Sequence, residues 1–264
     1  MTKSIIMKNT ALITGASSGI GKEFARIHAE KTGDLIIIAR RTDKLETLKK
    51  ELEEQYQREV LVIAKDLSEP NAAWEIFDTV KSKGITVEYL INNAGFGLRG
   101  KFHELPLERH LAMINVNITA LTALTWYFLP DMVKNNRGRI LNVSSTAALV
   151  PGPLQAVYYA SKSYVTSLSN AIAEELYDTN VTVTALMPGA TETEFARTSD
   201  MDKTSLFQKT FSAKTVAAEG YQAMMQGKLD IFSGLTGMQK MQSYILPLMP
   251  KKVVMPQIRK MQEI

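Results

Sequence analysis

"TALITGASSGIG" runs from Thr10 to Gly21. Its first half is a short β-branched apolar run and its second half a glycine-rich turn, and that order governs the reading of everything after it. Glycines stand at positions 15, 19 and 21, a G-x3-G-x-G pattern. Gly15 can take a tight turn, Gly19 lets backbone approach a pyrophosphate, and Gly21 lets the next helix pack close to the strand. A helix that starts here offers unpaired N–H groups and a partial positive charge to an anion. A ligand-free turn could carry the same glycines. The placement, after a first strand and at the opening of a first helix, is where a dinucleotide site belongs, with Ser17, Ser18 and Ile20 completing the cradle.

Similar β-branched runs recur at Leu35–Ala39, Val60–Ala64, Val87–Ile91, Arg139–Val143, Val181–Leu186 and, more weakly, Leu229–Phe232. Most are apolar throughout rather than alternating, as strands covered on both faces are. Helical patterns separate them, at Gly21–Lys31, Asp43–Gln57, Ala72–Lys83, Pro106–Lys134 and Tyr158–Tyr177. Strands alternating with helices predict an α/β fold: a doubly wound parallel sheet of about seven strands, Rossmann-like, with helices on both faces. No linker interrupts the pattern, so residues 1–264 read as one domain. In the last of these helices Val165, Leu168, Ile172 and Leu176 are spaced three and four apart and predict a buried stripe.

The 264 residues carry 31 Lys and Arg against 27 Asp and Glu, a net charge of +4. The charges are interspersed, with no basic stripe or nucleic-acid motif, so no nucleic-acid partner is expected. Cysteine is absent, which removes disulfides and thiolate chemistry and is compatible with a reducing cytoplasm, the expected location. "MTKSIIMKNTALIT" is too short in apolar residues for a signal peptide, and no run approaches 18 consecutive apolar residues, so no membrane-spanning helix is expected. His28, His103 and His110 lack ligand spacing, and no metal site is expected. A G-x-S-x-G elbow is missing, which argues against a serine hydrolase.

The second strand ends "IIIARRTDKL". An acid at this place commonly binds the ribose 2′-hydroxyl of NAD; here Ala39 is followed by Arg40 and Arg41. Two guanidinium groups suit a 2′-phosphate, so NADP(H) is expected to be preferred, with NAD(H) possible. Asp66 and Leu67, after the third strand, are placed to meet the adenine, although an aspartate there could equally cap a turn.

Further motifs follow in order: "NNAG" (Asn92–Gly95), "NVSS" (Asn142–Ser145), "YYASK" (Tyr158–Lys162) and "PGATET" (Pro188–Thr193). With the glycine turn, this ordered set resembles the short-chain dehydrogenase/reductase family from about Thr10 to Phe195. The resemblance implies an oxidoreductase that interconverts a carbonyl and a secondary alcohol by hydride transfer. The family's Y-x3-K pair matches Tyr158 and Lys162 alone. Four residues apart, they share a helix face, whereas Tyr159 and Tyr164 leave it and read as packing residues. A free tyrosine titrates near pH 10, and a neighbouring ammonium is expected to lower that value, leaving Tyr158 as the acid/base. The resemblance also implies that Lys162 holds the nicotinamide ribose, that Ser145 orients the substrate oxygen, and that Asn117 holds a proton-relaying water through its backbone carbonyl. Ser144 and Asn115 are the competing candidates at those two positions. Asn92 stabilises the sheet, Asn93, Ala94 and Gly95 line the cofactor, and Pro188, Gly189, Thr191 and Thr193 belong to the loop over the nicotinamide, as the resemblance implies. Glu192 and Glu194 read as solvated loop charges.

Phe96, Leu98, Leu149, Leu154 and Val157 are expected to flank a small-molecule carbonyl or alcohol substrate that is uncharged or partly apolar, and residues 191–215 read as a substrate loop. A homodimer or homotetramer is expected. The competing reading, a non-catalytic NADP(H)-sensing regulatory protein, should lack catalytic groups that are present here. The C-terminal extension, 234–264, stands apart. Seven of the 13 methionines fall between Met224 and Met261, and from Gly234 onward Lys240, Lys251, Lys252, Arg259 and Lys260 face one acid, Glu263. Pro247, Pro250 and Pro256 are expected to break it into short pieces. It reads as a lid, an oligomer contact or an amphipathic membrane-surface segment, in that order.

Overall fold

The computed structural model describes residues 7–31 and 33–264. Its strands are β1 (Ala11–Thr14), β2 (Leu35–Ala39), β3 (Val60–Ala64), β4 (Tyr89–Asn92), β5 (Gly138–Val143), β6 (Val181–Pro188), β7 (Thr191–Glu192), β8 (Phe211–Ser212) and β9 (Asp230–Ser233). Seven form one parallel sheet in the order β3-β2-β1-β4-β5-β6-β9, and β7 with β8 form a separate two-stranded ladder. The expected doubly wound sheet is therefore the architecture found. Its strand order reverses direction between β1 and β4, and ligands bind beyond the carboxyl ends of strands at such a switch point. The helices are α1 (Gly19–Glu30), α2 (Thr42–Tyr56), α3 (Ala72–Ser82), α4 (Leu107–Ile114), α5 (Leu121–Lys134), α6 (Ala156–Glu175), α7 (Phe195–Thr198), α8 (Ala213–Met225), α9 (Gly237–Ile245) and α10 (Lys251–Gln262).

The continuous apolar runs have a direct cause. Alternate strand residues feed two separate cores, one on each face of the sheet. Ala11, Ile13, Leu35 and Ile37 join Phe24, Leu45, Leu52, Val216 and Tyr221 beneath α1, α2 and α8. Leu12, Ile36, Ile38 and Leu90 join Ile76, Val80, Leu124 and Phe128 beneath α3 and α5. In α6 the buried stripe includes Val165 and Leu176 as expected, but Leu168 and Ile172 are only partly covered. Tyr158, Ser161, Lys162 and Ser169 take the remaining buried positions.

Three expectations need correction. The helix expected over Pro106–Lys134 is interrupted: a π turn, Asn115–Ala120, joins α4 to α5. The combined stretch Leu107–Lys134 is also long and apolar enough by length and composition to cross a membrane, contrary to the expectation from consecutive apolar residues. Its α5 part packs on the sheet, with Leu124, Phe128 and Met132 buried in that core, while Met113 of α4 is buried beside Tyr158 and Tyr159. Third, Pro256 lies inside α10 and does not end it. The carbonyl one turn earlier belongs to exposed Lys252, so water can take the bond that the proline omits.

Candidate active site

The glycine turn is shaped as a cradle. Gly15 and Gly19 adopt φ of +67° and +54°, which side-chain-bearing residues rarely take. A Cβ on Gly15 would come within 2.8 Å of Asn93 Nδ2, and one on Gly19 within 2.8 Å of the Thr193 methyl. Gly21 plays a different part. It lies outside the cleft, and a Cβ there would run into Asn93 Nδ2 and the Gly15 carbonyl, so it permits helix-to-strand packing. The turn is tied to the neighbouring strand end: Asn93 Nδ2 donates to the Thr14 carbonyl at 2.9 Å, and Thr14 Oγ1 accepts from the Asn93 and Ala94 N–H groups at 3.0 Å. At the start of α1, Ser18 makes no side-chain cap and the first turn holds no acid. Those N–H groups are left for an anion, and the turn suits a dinucleotide pyrophosphate.

At the edge of this cradle Arg41 donates to the Ser17 and Ser18 hydroxyls, each at 3.1 Å. It also pairs with Glu194 Oε2 at 2.8 Å, so Glu194 is not a solvated loop charge. The Arg41 guanidinium beside it holds the Glu194 carboxyl below the usual carboxylate range. Glu192 is exposed, as expected. Arg40 is far more open and lies 3.7 Å from Asp66 Oδ2. Asp66 Oδ1 accepts from the Ser68 N–H and hydroxyl at 2.9 and 2.8 Å, the turn geometry weighed against adenine recognition. Partial burial pushes its carboxyl up, but these bonds and Arg40 outweigh it, and the net shift is downward.

The catalytic candidates converge where β4, β5 and α6 meet. Ser144 is consumed by the fold: its hydroxyl donates to the Lys162 carbonyl at 2.9 Å and bonds Thr166 Oγ1 at 2.7 Å. Ser145 caps the short helical turn Thr146–Leu149, accepting from the Ala147 N–H at 3.1 Å, and lines the cleft. Asn115 turns away and donates to the Ser68 carbonyl at 3.2 Å. Asn117, on the π turn, is buried. Its amide nitrogen donates to the Phe96 carbonyl and Ser161 Oγ, both at 3.0 Å, and its oxygen accepts from the Phe96 N–H at 3.1 Å. A Cβ on Gly95 would stand 3.2 Å from Asn117 Oδ1 and 3.3 Å from Lys162 Nζ, so Gly95 is the gap across which the two meet. A π turn shifts the hydrogen-bond register by one, and such turns are frequent at functional sites.

Tyr158 and Lys162 both line the cleft. Lys162 Nζ donates to the Val143 carbonyl at 2.8 Å and lies 5.8 Å from the Tyr158 ring centre. The expected lowering of the tyrosine is not what this arrangement produces. Burial pushes the Tyr158 phenol up to about 12, with the Ser145 hydroxyl pulling the other way, and burial pulls the Lys162 ammonium down to about 8. The reason is that a dry pocket disfavours each charged form, and the ammonium is bonded to a backbone carbonyl instead of the phenol oxygen. Tyr159 packs under Gly152, its hydroxyl accepting from Gln262 Nε2 at 3.1 Å, and half-exposed Tyr164 bonds Thr122 at 3.1 Å.

Pro188 and Gly189 line the cleft, and the loop beyond them is pinned by the β7–β8 ladder. Thr191 Oγ1 donates to the Gly189 carbonyl at 3.0 Å, and Thr193 Oγ1 accepts from the Phe195 N–H at 3.2 Å. Both hydroxyls therefore have partners within the loop, and Thr193 sits against the phosphate turn. The resulting cleft, about 760 Å³, runs from Gly15 and Ser17 past Asp66, Leu67 and Ala94 to Ser145, Tyr158 and Lys162. Its far end holds Phe195, whose ring lies 5.3 Å from that of Tyr158, with Met201, Leu206 and Phe207, all inside the expected substrate loop though not singled out by it, and Arg109, which the sequence reading missed. Gln155 is buried there too, its amide nitrogen unpartnered among the described residues. Of the expected flanking residues, Phe96 lines the cleft, while Leu98, Leu149 and Val157 pack around Tyr158 behind it. Leu154 lies outside the lining, at φ +67°.

A parallel sheet with a phosphate turn at its switch point, and a serine, tyrosine and lysine beyond the next strands, defines a nucleotide-dependent oxidoreductase. The profile described as short chain dehydrogenase matches residues 9–204, and the chain belongs to that family, whose members act on CH–OH and C=O groups. The chain is 32% identical over 227 residues to human very-long-chain 3-oxoacyl-CoA reductase, covering 83% of this chain and 71% of that one. It is 35% identical over 192 residues to an NADP-dependent 3-hydroxy acid dehydrogenase of Schizosaccharomyces pombe, covering 71% and 73%. Among solved structures, a short-chain dehydrogenase from Sphingobium yanoikuyae in complex with NADPH superposes with a TM-score of 0.82 at 27% identity, over 97% of this chain and 99% of that one.

Proposed function

We propose that this protein is an NADP(H)-dependent reductase of 3-oxoacyl compounds, with Tyr158 as the proton donor. The observation that carries the reading is the cleft itself, which joins an open arginine-edged phosphate turn to Ser145 and the buried Tyr158 and Lys162 and then to an apolar end. The named activities of the human and fission-yeast relatives support the substrate class, and the NADPH complex of the structural neighbour supports the cofactor. Gly15, Ser17, Ser18, Gly19 and Ile20 would hold the pyrophosphate, Arg41 and Arg40 the 2′-phosphate, Asp66 and Leu67 the adenine, and Lys162 the nicotinamide ribose. When bound, the cofactor supplies the hydride that reduces the carbonyl carbon.

The chain's residues do the rest. Ser145 donates to the substrate oxygen and fixes its place. Tyr158, protonated at neutral pH because burial raises its phenol, gives its proton to that oxygen as negative charge develops there. Lys162 stabilises the phenolate left behind, and Asn117 anchors the Phe96 turn against α6 so that the lysine and tyrosine keep their spacing. Phe195, Met201 and Phe207 exclude water from the acyl chain. Exposed aromatic residues on the long helices, Trp126 at 69% exposure among them, support a homo-oligomer.

The test is NADPH consumption, followed by absorbance, with 3-oxoacyl thioesters of graded length and with simple ketones. Turnover that improves with chain length is expected. Turnover of simple ketones alone would remove the substrate class and leave the reaction class standing; turnover of neither would overturn the reading.

A further inference from the structure

The C-terminal extension has two faces. Inward, Val254, Leu246 and Ile258 pack on the cluster that contains Tyr158, Tyr159 and Met113, and the Ser205 hydroxyl donates to the Met261 carbonyl at 3.2 Å. That face backs the cluster behind Tyr158 and contributes no residue to the cleft lining. Outward, α9 presents Met238, Met241, Tyr244 and Ile245, spaced three and four apart on one side of the helix, and exposed by 69, 59, 71 and 50%. The row runs into the turn before α10, where Leu248 is 84% exposed and is followed by Met249 and Val253. Lys251 and Lys252 stand exposed in this apolar tip, and no carboxylate occurs between Gly234 and Gln262.

We propose that this outer face docks on a bilayer carrying anionic headgroups, with the Leu246–Val253 turn as the tip that enters it. Two observations select this occupant. The apolar row is continuous and tipped by an unpaired leucine and methionine, as an interfacial segment requires, and its flanking charge is all positive. A second copy of this face would have to cover Lys251 and Lys252, and the one acid of the segment, Glu263, lies at the far end of α10 and is already paired with Arg259. The inference goes beyond the proposed reaction and does not depend on it.

The experiment is co-sedimentation of the full chain with vesicles of phosphatidylcholine alone and with added phosphatidylglycerol, at low and high salt. Binding to the anionic vesicles that weakens with salt is expected. The double substitution Lys251→Gln/Lys252→Gln should lower the partition coefficient roughly thirtyfold, taking about 1 kcal/mol for each basic residue near an anionic surface. Leu248→Ser/Met249→Ser should weaken binding at high salt as well. NADPH affinity, unchanged in both variants, shows that they are folded. Equal binding to both vesicle types, or no binding by the wild type, would overturn the proposal. So would a dimer, seen by light scattering, that these substitutions dissociate in the absence of lipid binding.

Discussion

Arg41→Ala should separate NADPH from NADH. In the structure Arg41 stands over the phosphate turn with its Nη2 on Ser17 and Ser18 at 3.1 Å, on the side where a ribose 2′-phosphate would face solvent. Hydrogen bonds to charged groups contribute about 1.5–3 kcal/mol each, so losing one to a phosphate should raise the NADPH dissociation constant roughly 10- to 150-fold. NADH has no 2′-phosphate and should change by less than about threefold. Arg40, more open and held only loosely near Asp66, should contribute less than Arg41. A second variant sharpens the argument. Glu194 Oε2 occupies Arg41 at 2.8 Å, so a phosphate must draw the guanidinium from that carboxylate. Glu194→Gln should therefore tighten NADPH by a few-fold and leave NADH alone. Isothermal titration of the three proteins with both nucleotides measures every term. Equal loss for NADPH and NADH in Arg41→Ala would refute the assignment, since it would place the arginine in general folding of the turn.

Three further outcomes follow from particular contacts. His28 is buried, with Nε2 donating to the Asn9 carbonyl at 2.7 Å and Nδ1 on the Tyr221 hydroxyl at 2.9 Å, and burial lowers its pKa to about 4 from 6.5. A depressed histidine pKa means that the unfolded chain binds the extra proton between these values, so the contribution is whole above about 6.5 and is lost as pH falls toward 4. It amounts to about 3 kcal/mol, read from urea midpoints at pH 7 and pH 4, and His28→Asn should flatten that part of the slope. Gly21→Ala should weaken NADPH binding and cost roughly 1–3 kcal/mol of stability, because its Cβ collides with Asn93 and the Gly15 carbonyl, whereas Gly84→Ala, with open space around it, should leave binding intact. Since burial raises the Tyr158 phenol and lowers the Lys162 ammonium to about 8, carbonyl reduction should stay level between pH 6 and 7 and fall from about pH 8 as the lysine loses its charge, as a pH–rate profile would show.

The sheet and its switch point were legible because buried parallel strands leave uninterrupted β-branched runs, and the glycine turn marks where the first one ends. Tyr158 separated from Tyr159 and Tyr164 because the Y-x3-K pattern of the family it resembles, together with helical spacing, fits that residue alone. What sequence could not resolve depended on direction and distance. Ser144 and Ser145 follow a strand, so neighbours point to opposite sides, but only the packing of α6 shows that Ser144 faces the Lys162 carbonyl. Asn115 and Asn117 both lie in the π turn, and only the packing shows that the first reaches the Ser68 carbonyl and the second faces Phe96 and Ser161. The Arg41–Glu194 pair joins the end of β2 to the loop after β6, and no local pattern announces a contact so remote. Phe195 and Phe207 lie on a loop whose path is set by the two-residue β7–β8 ladder, too short to leave a periodic signal. The tyrosine's acidity departs from the expectation for a physical reason: spacing shows the neighbouring ammonium, whereas the dryness of the pocket that outweighs it emerges only from the packed fold.

The most direct test of the central claim is Tyr158→Phe, assayed for NADPH binding by titration and for NADPH-dependent carbonyl reduction by absorbance in the same preparation. The substitution removes one hydroxyl from a buried ring and leaves the phosphate turn untouched. The account predicts an NADPH dissociation constant within about twofold of wild type and a turnover number lower by roughly 10²- to 10⁴-fold, the range of a lost general acid. A variant that binds NADPH normally and keeps turnover within a few-fold of wild type would contradict it.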